Sequence, residues 1–478
     1  QITMKTLFLK LFSTCIFLTI SANGAAKSYV ADSKTLKPRI VIMTDIGPGD
    51  VEPDDMESAV RLLAYADRFE IEALITTIGW NCDPYPTDWA EYLHQVIDGY
   101  GTDVKNLMKR SAQTAFMSVD AERNKPQKLG YWPSVEYIRQ RTVMGSQRAG
   151  IGVIGEGNDT DGSRLIIQLV DEADERPIWF CAWGGANTLA QAVWRVKKER
   201  SKEELDRFLH KIRLYTITDQ DMQYNMRMNR AYSSHQWLRQ EFANDLMLIW
   251  DESAWLTQCE LGSKNWELYA KYVQGHGQMG AVYPRYKYGV EGDTPSFLHV
   301  MPNGLNDPDD PEQVGWGGYH QFGMSPDSLT DAWTNWQPSQ KSISRRYEEH
   351  FYPDEFNDFA ARMQWAAEGK GNRNPVVIVN GIKGLQPVVV KAVAGKTVKL
   401  NATQSYDPDN DQLKFHWWQQ PEAGTYRQEI SVYTTDSDCL EIAIPKDAQG
   451  KSLHFVCEVH DSGPFNLVSY RRIIIHVK

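Results

Sequence analysis

Basic charge is the first thing this chain has little of. Its 478 residues carry 51 Lys and Arg against 62 Asp and Glu, a formal net charge of -11. A polyphosphate partner calls for a basic surface, so nucleic acid is excluded as the natural ligand. Cysteine is scarce as well. The six present have no pair at zinc-ligand spacing and are too few for a disulfide scaffold in so long a chain. The apolar run Leu7 to Ile20 is too short for a confident transmembrane helix, so no stable membrane anchor is expected. The loop Gly155-Glu156-Gly157-Asn158-Asp159 fits neither the dinucleotide nor the phosphate-loop pattern, and no nucleotide cofactor is expected.

What is present points to an exported protein of two or three domains with ample core. Met4-Lys5, the apolar run, and Ser21-Ala22-Asn23-Gly24-Ala25-Ala26 follow the basic, apolar and small-residue order of a secretory signal peptide, so residues 1–26 are assigned to it and to upstream residues. A periplasmic or extracellular location permits disulfides. Cys439 and Cys457 share one β-rich region, where they either pair or stay as buried free thiols. The 16 Trp and 22 Tyr suit stacking on sugar faces, although most rings in a chain of this size serve as core or loop anchors.

The stretch Arg39 to Leu63 organises the rest. Ile40-Val41-Ile42-Met43 reads as a buried strand, Thr44 to Asp50 as a turn, and Met56, Ala59, Val60 and Leu63 recur at helical spacing. Asp45, Asp50, Asp54 and Asp55 then lie at the carboxyl edge of a sheet, where open α/β folds bind ligands. Carboxylates converging there repel one another and require a cation. Hard oxygen donors on a flexible loop suit calcium first and magnesium second. Part of the pattern has a plainer account, in which Asp54 caps the helix with Glu57 as its capping-box partner and Asp55 favours the helix dipole. Asp45 is left without a reason, because a charge ending an apolar strand is costly unless it is paired or metal-bound.

Further strands are read at Ile71–Ile78, Ile151–Ile154, Pro177–Trp183, Ile212–Ile217 and Leu246–Trp250, with helical patterns at Trp89–Tyr100 and Leu165–Ala173. This alternation predicts a doubly wound, mainly parallel α/β sheet. Asp219, Gln220 and Asp221 follow a strand and either line the pocket or form a solvated turn. From Gly275 to Ser344 the periodicity dissolves into Gly, Pro and aromatics. Trp316, Tyr319, Trp333 and Trp336 in that stretch are candidates for a sugar-stacking wall or for loop anchors. Glu368 to Pro375 has linker composition, and the alternating runs beyond it read as a small β-sandwich. The expected division is 36–368, a linker at 369–375, and an independently folding module at 376–478 that contributes nothing to catalysis.

Thr44-Asp45-Ile46-Gly47 with Asp54-Asp55 resembles the calcium motif of the nucleoside hydrolases. The whole stretch resembles more closely a bacterial nucleoside-hydrolase-like family labelled cellulose-binding. Met43 stands where the hydrolase pattern has its first Asp, and the loop from Gly47 to Asp54 is longer by five residues, so the substrate side of the loop is rebuilt. The resemblance implies calcium held by Asp45, Asp55, Asp293 of Glu291-Gly292-Asp293-Thr294-Pro295, and the carbonyl of Trp183 before Gly184-Gly185-Ala186-Asn187. It implies that Asn81 faces the sugar. No His stands beside Asp293, which leaves Glu291 as substitute proton donor. Asn303-Gly304-Leu305 and Trp316-Gly317-Gly318-Tyr319-His320 also resemble patterns of the family, and both Asn303 and Trp316 are assigned to the substrate. Gln404 to Asp411 ahead of Phe415-His416-Trp417 resembles an immunoglobulin-like module of the polycystic-kidney-disease type, with Asp407, Asp409 and Asp411 forming a tight acidic turn rather than a calcium site.

The combined expectation is an exported, calcium-dependent glycoside hydrolase acting on a pentose or related sugar of plant polysaccharide. Asp45 would serve as general base, Asp54 and Asn81 would hold sugar hydroxyls, and Glu291 would protonate the leaving group. The alternative is a protein that grips carbohydrate without cleaving it. A homo-oligomer is compatible with either.

Overall fold

Ile40, Val41, Ile42 and Met43 are all fully buried, as a strand covered on both faces requires. They belong to β1 (Arg39–Thr44), whose neighbours are β2 (Glu70–Thr76) and β4 (Ile178–Ala182), both parallel to it. The computed structural model describes residues 35–221 and 232–478. The expected signal segment at 1–26 lies outside the described residues. Adding β3 (Thr142–Met144), β5 (Ile212–Ile217), β6 (Met247–Asp251), β7 (Gln321–Met324) and β8 (Asp331–Thr334) gives an eight-stranded sheet in the order β3-β2-β1-β4-β5-β6-β8-β7. Every pairing is parallel except β7 with β8.

Side chains of β1 alternate between two cores. Ile40 and Ile42 pack with α1 (Pro53–Ala64) and α2 (Ala90–Arg110), while Val41 and Met43 pack with α3 (Asp161–Asp171), α4 (Asn187–Glu199) and α5 (Ser234–Phe242). Helices therefore cover both faces, as the sequence reading expects. Three elements differ from that reading. Ile151–Val153 is a single 3-10 turn entered through Gly150 at φ +85°, and the strand of this region is Thr142–Met144, three residues too short to show a period. The β7–β8 hairpin and the 31-residue helix α6 (Pro338–Glu368) lie in and beyond the stretch that showed no pattern. The helix carries Pro353 in its interior, which argues against a helix from sequence.

The C-terminal part pairs β9 (Ile378–Val379) with β10 (Ile382–Lys383). It also forms a four-stranded sheet from β11 (Val388–Ala392), β13 (Leu413–Gln419), β15 (Ser452–Asp461) and β16 (Val468–Val477), and pairs β12 (Thr397–Asn401) with β14 (Cys439–Ala443). It has its own core around Trp417, Leu440, Phe455 and Ile473. Cys439 and Cys457 stand on strands of different sheets as free thiols.

A second face of this part is joined to the α/β layer. Val456, Val468 and Tyr470 enter the same core as Trp316 and Phe351. Arg472, fully buried, donates to the carbonyls of Leu305 and Val314 and to Gln420 Oε1 at 2.9 Å, and burial pushes its guanidinium down to about 10. Asn374 donates to Asp358 of α6 at 2.6 Å. Deleting 375–478 would uncover these apolar side chains and leave the Leu305 and Val314 carbonyls without the guanidinium. Buried apolar area stabilises by about 25 cal/mol per Å². The expected outcome is a truncated chain that melts well below the full-length protein and binds a hydrophobic dye. Equal melting temperatures by circular dichroism would show that the junction contributes nothing.

Candidate functional site

Strand order reverses at β1, with β2 and β3 on one side and β4 to β6 on the other. Open α/β sheets bind ligands at the carboxyl ends of the strands flanking such a switch point. Asp45 is the residue immediately after β1 and is buried there. The chain leaving β4 returns to the same place, where the N–H groups of Trp183 and Gly184 both donate to the Met43 carbonyl, at 2.8 and 3.1 Å. Two glycines make room for the Asp45 carboxylate. A Cβ on Gly79 would stand 1.5 Å from Asp45 Oδ2, and one on Gly184 2.7 Å from Oδ1.

Around Asp45 the carboxylates converge. Ligand oxygens of Asp45, Glu52 and Asp55 lie within 4.8 Å of one another, as do those of Asp54, Asp55 and Asp293, so Asp55 joins five acidic side chains into one cluster. Pro53 at the first position of α1 starts the helix that carries Asp54 and Asp55 in its first turn, facing the positive end of the helix dipole. Thr44 Oγ1 donates to Asp55 Oδ1. Asp293 Oδ2 is buried without a hydrogen-bond partner. Burial, and next the neighbouring Asp54, push Asp45 up to about 7. Asp55, Asp293 and Glu52 are raised well above the ordinary carboxylate range, first by burial and then by the other carboxylates. Such a set of crowded hard oxygen donors has the chemistry of a divalent-cation site. The capping box expected of Asp54 and Glu57 is not formed. Glu52 holds the N-cap position without a side-chain bond, and Glu57 instead accepts the N–H of Glu291 at 2.8 Å.

The other expected site residues divide. Asn81 is exposed at the rim and donates to Glu52, which places it beside the cluster. The Gln220 amide donates to the Trp183 carbonyl, so one of that oxygen's two lone pairs is already engaged. Asp221 accepts from Ala186 N–H, Ser234 Oγ and His235 N–H, tying the starts of α4 and α5 to the end of β5. Asp219 accepts from Ser233 Oγ at 2.9 Å, and burial with Asp221 beside it raises its carboxyl to about 7. Both aspartates are buried supports of the sheet edge rather than members of a solvated turn.

Three expectations are corrected. The Glu291 carboxylate is fully enclosed and accepts from Arg61 Nη1 at 2.6 Å and from Gln258 and the Tyr269 hydroxyl at 3.1 Å each. Enclosed in that ion pair, it faces Arg61 rather than the acidic cluster, although burial raises its carboxyl above the usual range. Asn303 Oδ1 accepts Leu305 N–H, and its backbone carbonyl accepts Tyr470 N–H, so it shapes the turn against the C-terminal part. Trp316 is buried in the same junction, its indole N–H donating to Tyr470 Oη at 3.3 Å. Of the four rings offered as a stacking wall or loop anchors, Trp316 and Tyr319 are buried, whereas Trp333 and Trp336 keep partial exposure. Trp333 packs edge-on against Phe322, and Trp336 donates to the Met324 carbonyl.

Sequence reasoning missed Glu52, which looked like an ordinary loop residue, and the rim formed by Tyr286 and Tyr288. These rings are 43% and 46% exposed, and Tyr286 lies against Gly49 of the acidic loop. Their signal was their position just ahead of Glu291 and Asp293.

Comparison with known proteins bears on the whole chain. A nucleoside hydrolase-related hypothetical protein from Saccharophagus degradans, described as associated with carbohydrate metabolism, is 33% identical over 92% of this chain and 100% of its own, with a TM-score of 0.77. The PKD domain of the KIAA 1837 protein matches 19% of this chain and 80% of its own at 16% identity and a TM-score of 0.16. The type III effector XopQ, solved with adenosine diphosphate ribose, matches 73% of this chain and 99% of its own at 11% identity and a TM-score of 0.30. No curated protein matches. Residues 397–477 match the C-terminal domain of cellulose-binding protein Sde0182. With residues 39–320 matching the nucleoside hydrolase-like domain of cellulose-binding Sde182, the chain belongs to that nucleoside hydrolase-like, cellulose-binding family.

Proposed function

We propose that this protein is an exported, calcium-dependent glycoside hydrolase whose substrate is a pentose or related sugar of plant polysaccharide. The observation that carries the reading is the five-carboxylate cluster at the switch point of the sheet. Carboxylates this close repel one another, and a hard divalent cation relieves that repulsion. The orphaned Asp293 Oδ2 fits such an ion. Asp45, Asp55 and Asp293 would hold it, with the free lone pair of the Trp183 carbonyl beside them, and Asp54, expected to hold a sugar hydroxyl, would join them instead because its oxygen lies within 4.8 Å of those of Asp55 and Asp293. When bound, calcium supplies positive charge that orients a sugar hydroxyl and a water in one place.

The chain's own residues then divide the work. Asp45 takes a proton from water as its oxygen attacks the anomeric carbon. Half-buried Glu52, hydrogen-bonded by the Asn81 amide and within 4.8 Å of Asp45, is too close to the base to act across the sugar from it; it would hold the attacking water, and the leaving oxygen would take its proton from solvent. Tyr286 and Tyr288 offer exposed ring faces for the sugar. The preference for a pentose rests on the likeness to nucleoside hydrolases, and export on the signal-like order of residues 4–26. Among the described residues no helix is long and apolar enough to cross a membrane. One observation favours the second reading, a carbohydrate binder without catalysis: the Arg61 ion pair removes the proton donor that the sequence pointed to.

Calcium should stabilise the fold in a pH-dependent way. Asp45 rises from 3.8 to about 7 in the folded, calcium-free protein, so its protonated form stabilises fully below about 4, and that contribution is lost as pH climbs through 7. Protons also compete with the ion for the same oxygens. The rise in melting temperature on replacing chelator with excess calcium should therefore be larger at pH 8 than at pH 5. An equal rise at both, or none, refutes the site.

Asp45→Asn separates enzyme from binder. With saturating calcium, turnover should fall by about 10²- to 10⁴-fold, while carbohydrate affinity changes far less. Bound sugar and released reducing ends are measured in the same samples. Unchanged turnover defeats the mechanism. A binder shows no turnover in the unmutated protein on any glycoside it binds.

Glu291→Gln tests the correction. Loss of a buried charge partner strands Arg61 and costs about 3–5 kcal/mol. Chemical denaturation should show that loss, while kcat of the folded fraction stays within a few-fold. A selective loss of kcat without loss of stability would return Glu291 to the catalytic set.

A further inference from the structure

A second cluster of ligating side chains lies where α6 meets the C-terminal part. His350 and Asp354 are four apart on the helix and share one of its faces. Glu458 and His460 are two apart on β15 and share one face of the sheet. The two pairs meet. His460 Nε2 is 3.0 Å from Glu458 Oε1 and 3.8 Å from Asp354 Oδ2, and His350 Nε2 is 3.2 Å from Glu458 Oε2. Ligand atoms of Asp354, Glu458 and His460 all fall within 4.8 Å of one another.

We propose that His350, Asp354, Glu458 and His460 form a zinc-class metal site that clamps the long helix to the C-terminal module. Two imidazoles with two carboxylates make a donor set suited to zinc and unlike the all-carboxylate cluster beyond β1. Zinc bonds of about 2.1 Å in a tetrahedron place neighbouring donors about 3.4 Å apart. From His460 Nε2 the separations to Glu458 Oε1 and Asp354 Oδ2, 3.0 and 3.8 Å, bracket that value, and His350 reaches the second Glu458 oxygen at 3.2 Å, so it would complete the set by a small turn of its exposed ring.

The surroundings orient the donors as the outer shell of a metal site does. Tyr470 Oη donates to Asp354 Oδ2 at 3.1 Å, and Trp418 Nε1 donates to Glu458 Oε2 at 3.1 Å. His460 Nδ1–H donates to the Asn466 backbone carbonyl at 3.3 Å in the tautomer that leaves the Nε2 lone pair turned to the carboxylates. Glu458 and Asp354 are largely enclosed, whereas the His350 side chain is 44% exposed and His460 18%, so a cation has a way in.

The test titrates zinc chloride into the full-length protein against a chromophoric chelator, with calcium saturating throughout to occupy the acidic cluster. Unmutated protein should bind one zinc per chain and melt at a higher temperature with it. His460→Gln and His350→Gln should each weaken binding at least about tenfold and abolish the thermal shift, while Asp55→Asn leaves both unchanged. Because His350 lies on the helix surface, its variant keeps the test informative should His460→Gln unfold. Cobalt(II) in place of zinc should give a tetrahedral visible spectrum that the histidine variants lose. Absence of zinc binding, or binding by both histidine variants as tight as that of the unmutated protein, overturns the site and leaves simple imidazolium–carboxylate hydrogen bonds. Binding lost only in Asp55→Asn overturns it too, by placing zinc in the acidic cluster.

Discussion

Mutual repulsion among five carboxylates at the end of β1 is the constraint around which this molecule is arranged. A buried carboxylate can be relieved by a proton, a basic partner or a metal. Beyond β1 the chain provides polar support of a weaker kind: the first turn of α1, the Thr44 hydroxyl and the Asn81 amide. The backbone gives the cluster its space. Gly79 and Gly184 approach Asp45 more closely than any side chain would allow, so the two loops flanking the switch point are shaped to the carboxylate.

The same protein shows what a structural solution looks like. Glu291 lies only two residues from Asp293, yet its charge is met by Arg61, the Gln258 amide and the hydroxyls of Tyr269 and Tyr283. Its backbone is held at φ +52°, a conformation that a non-glycine residue adopts at a cost. That turn aims Asp293 at the acidic cluster and Glu291 away from it. The ion pair thus fixes the loop that carries the fifth carboxylate, and Arg61 on α1 ties this loop to the helix that carries Asp54 and Asp55.

These two outcomes explain what was legible in the sequence. Apolar runs such as Ile40–Met43 and Ile212–Ile217 announced buried parallel strands, because strands covered on both faces have little choice of residue. Asp45, Asp55 and Asp293 stood out as charges ending such runs or matching a family pattern. Glu291 misled because its partner is 230 positions away, and no spacing rule reports a pairing at that distance. Trp316 and Asn303 misled for the same reason: their partner, Tyr470, belongs to another part of the chain. Glu52 escaped notice because an acidic loop residue is ordinary until a fold brings Asp45 and Asp55 against it.

Helix α6 was invisible for a reason that also describes its role. It buries Tyr347, Phe351, Phe356, Phe359 and Met363 on several sides, so no single apolar stripe marks it, and Pro353 breaks the local signal. A helix apolar on more than one side has more than one neighbour to satisfy. Here they are the α/β layer, reached through the ion pairs of Arg362 with Asp67 and of Arg61 with Glu355, and the C-terminal sheet, reached through Phe351 against Tyr470 and Trp418. The Arg61 that neutralises Glu291 also donates to the Glu355 carbonyl on α6. Position of the long helix, orientation of the 289–293 loop and completion of the acidic cluster are therefore linked through one guanidinium. The C-terminal module, packed on the far side of that helix, is mechanically continuous with the site although it contributes no residue to it.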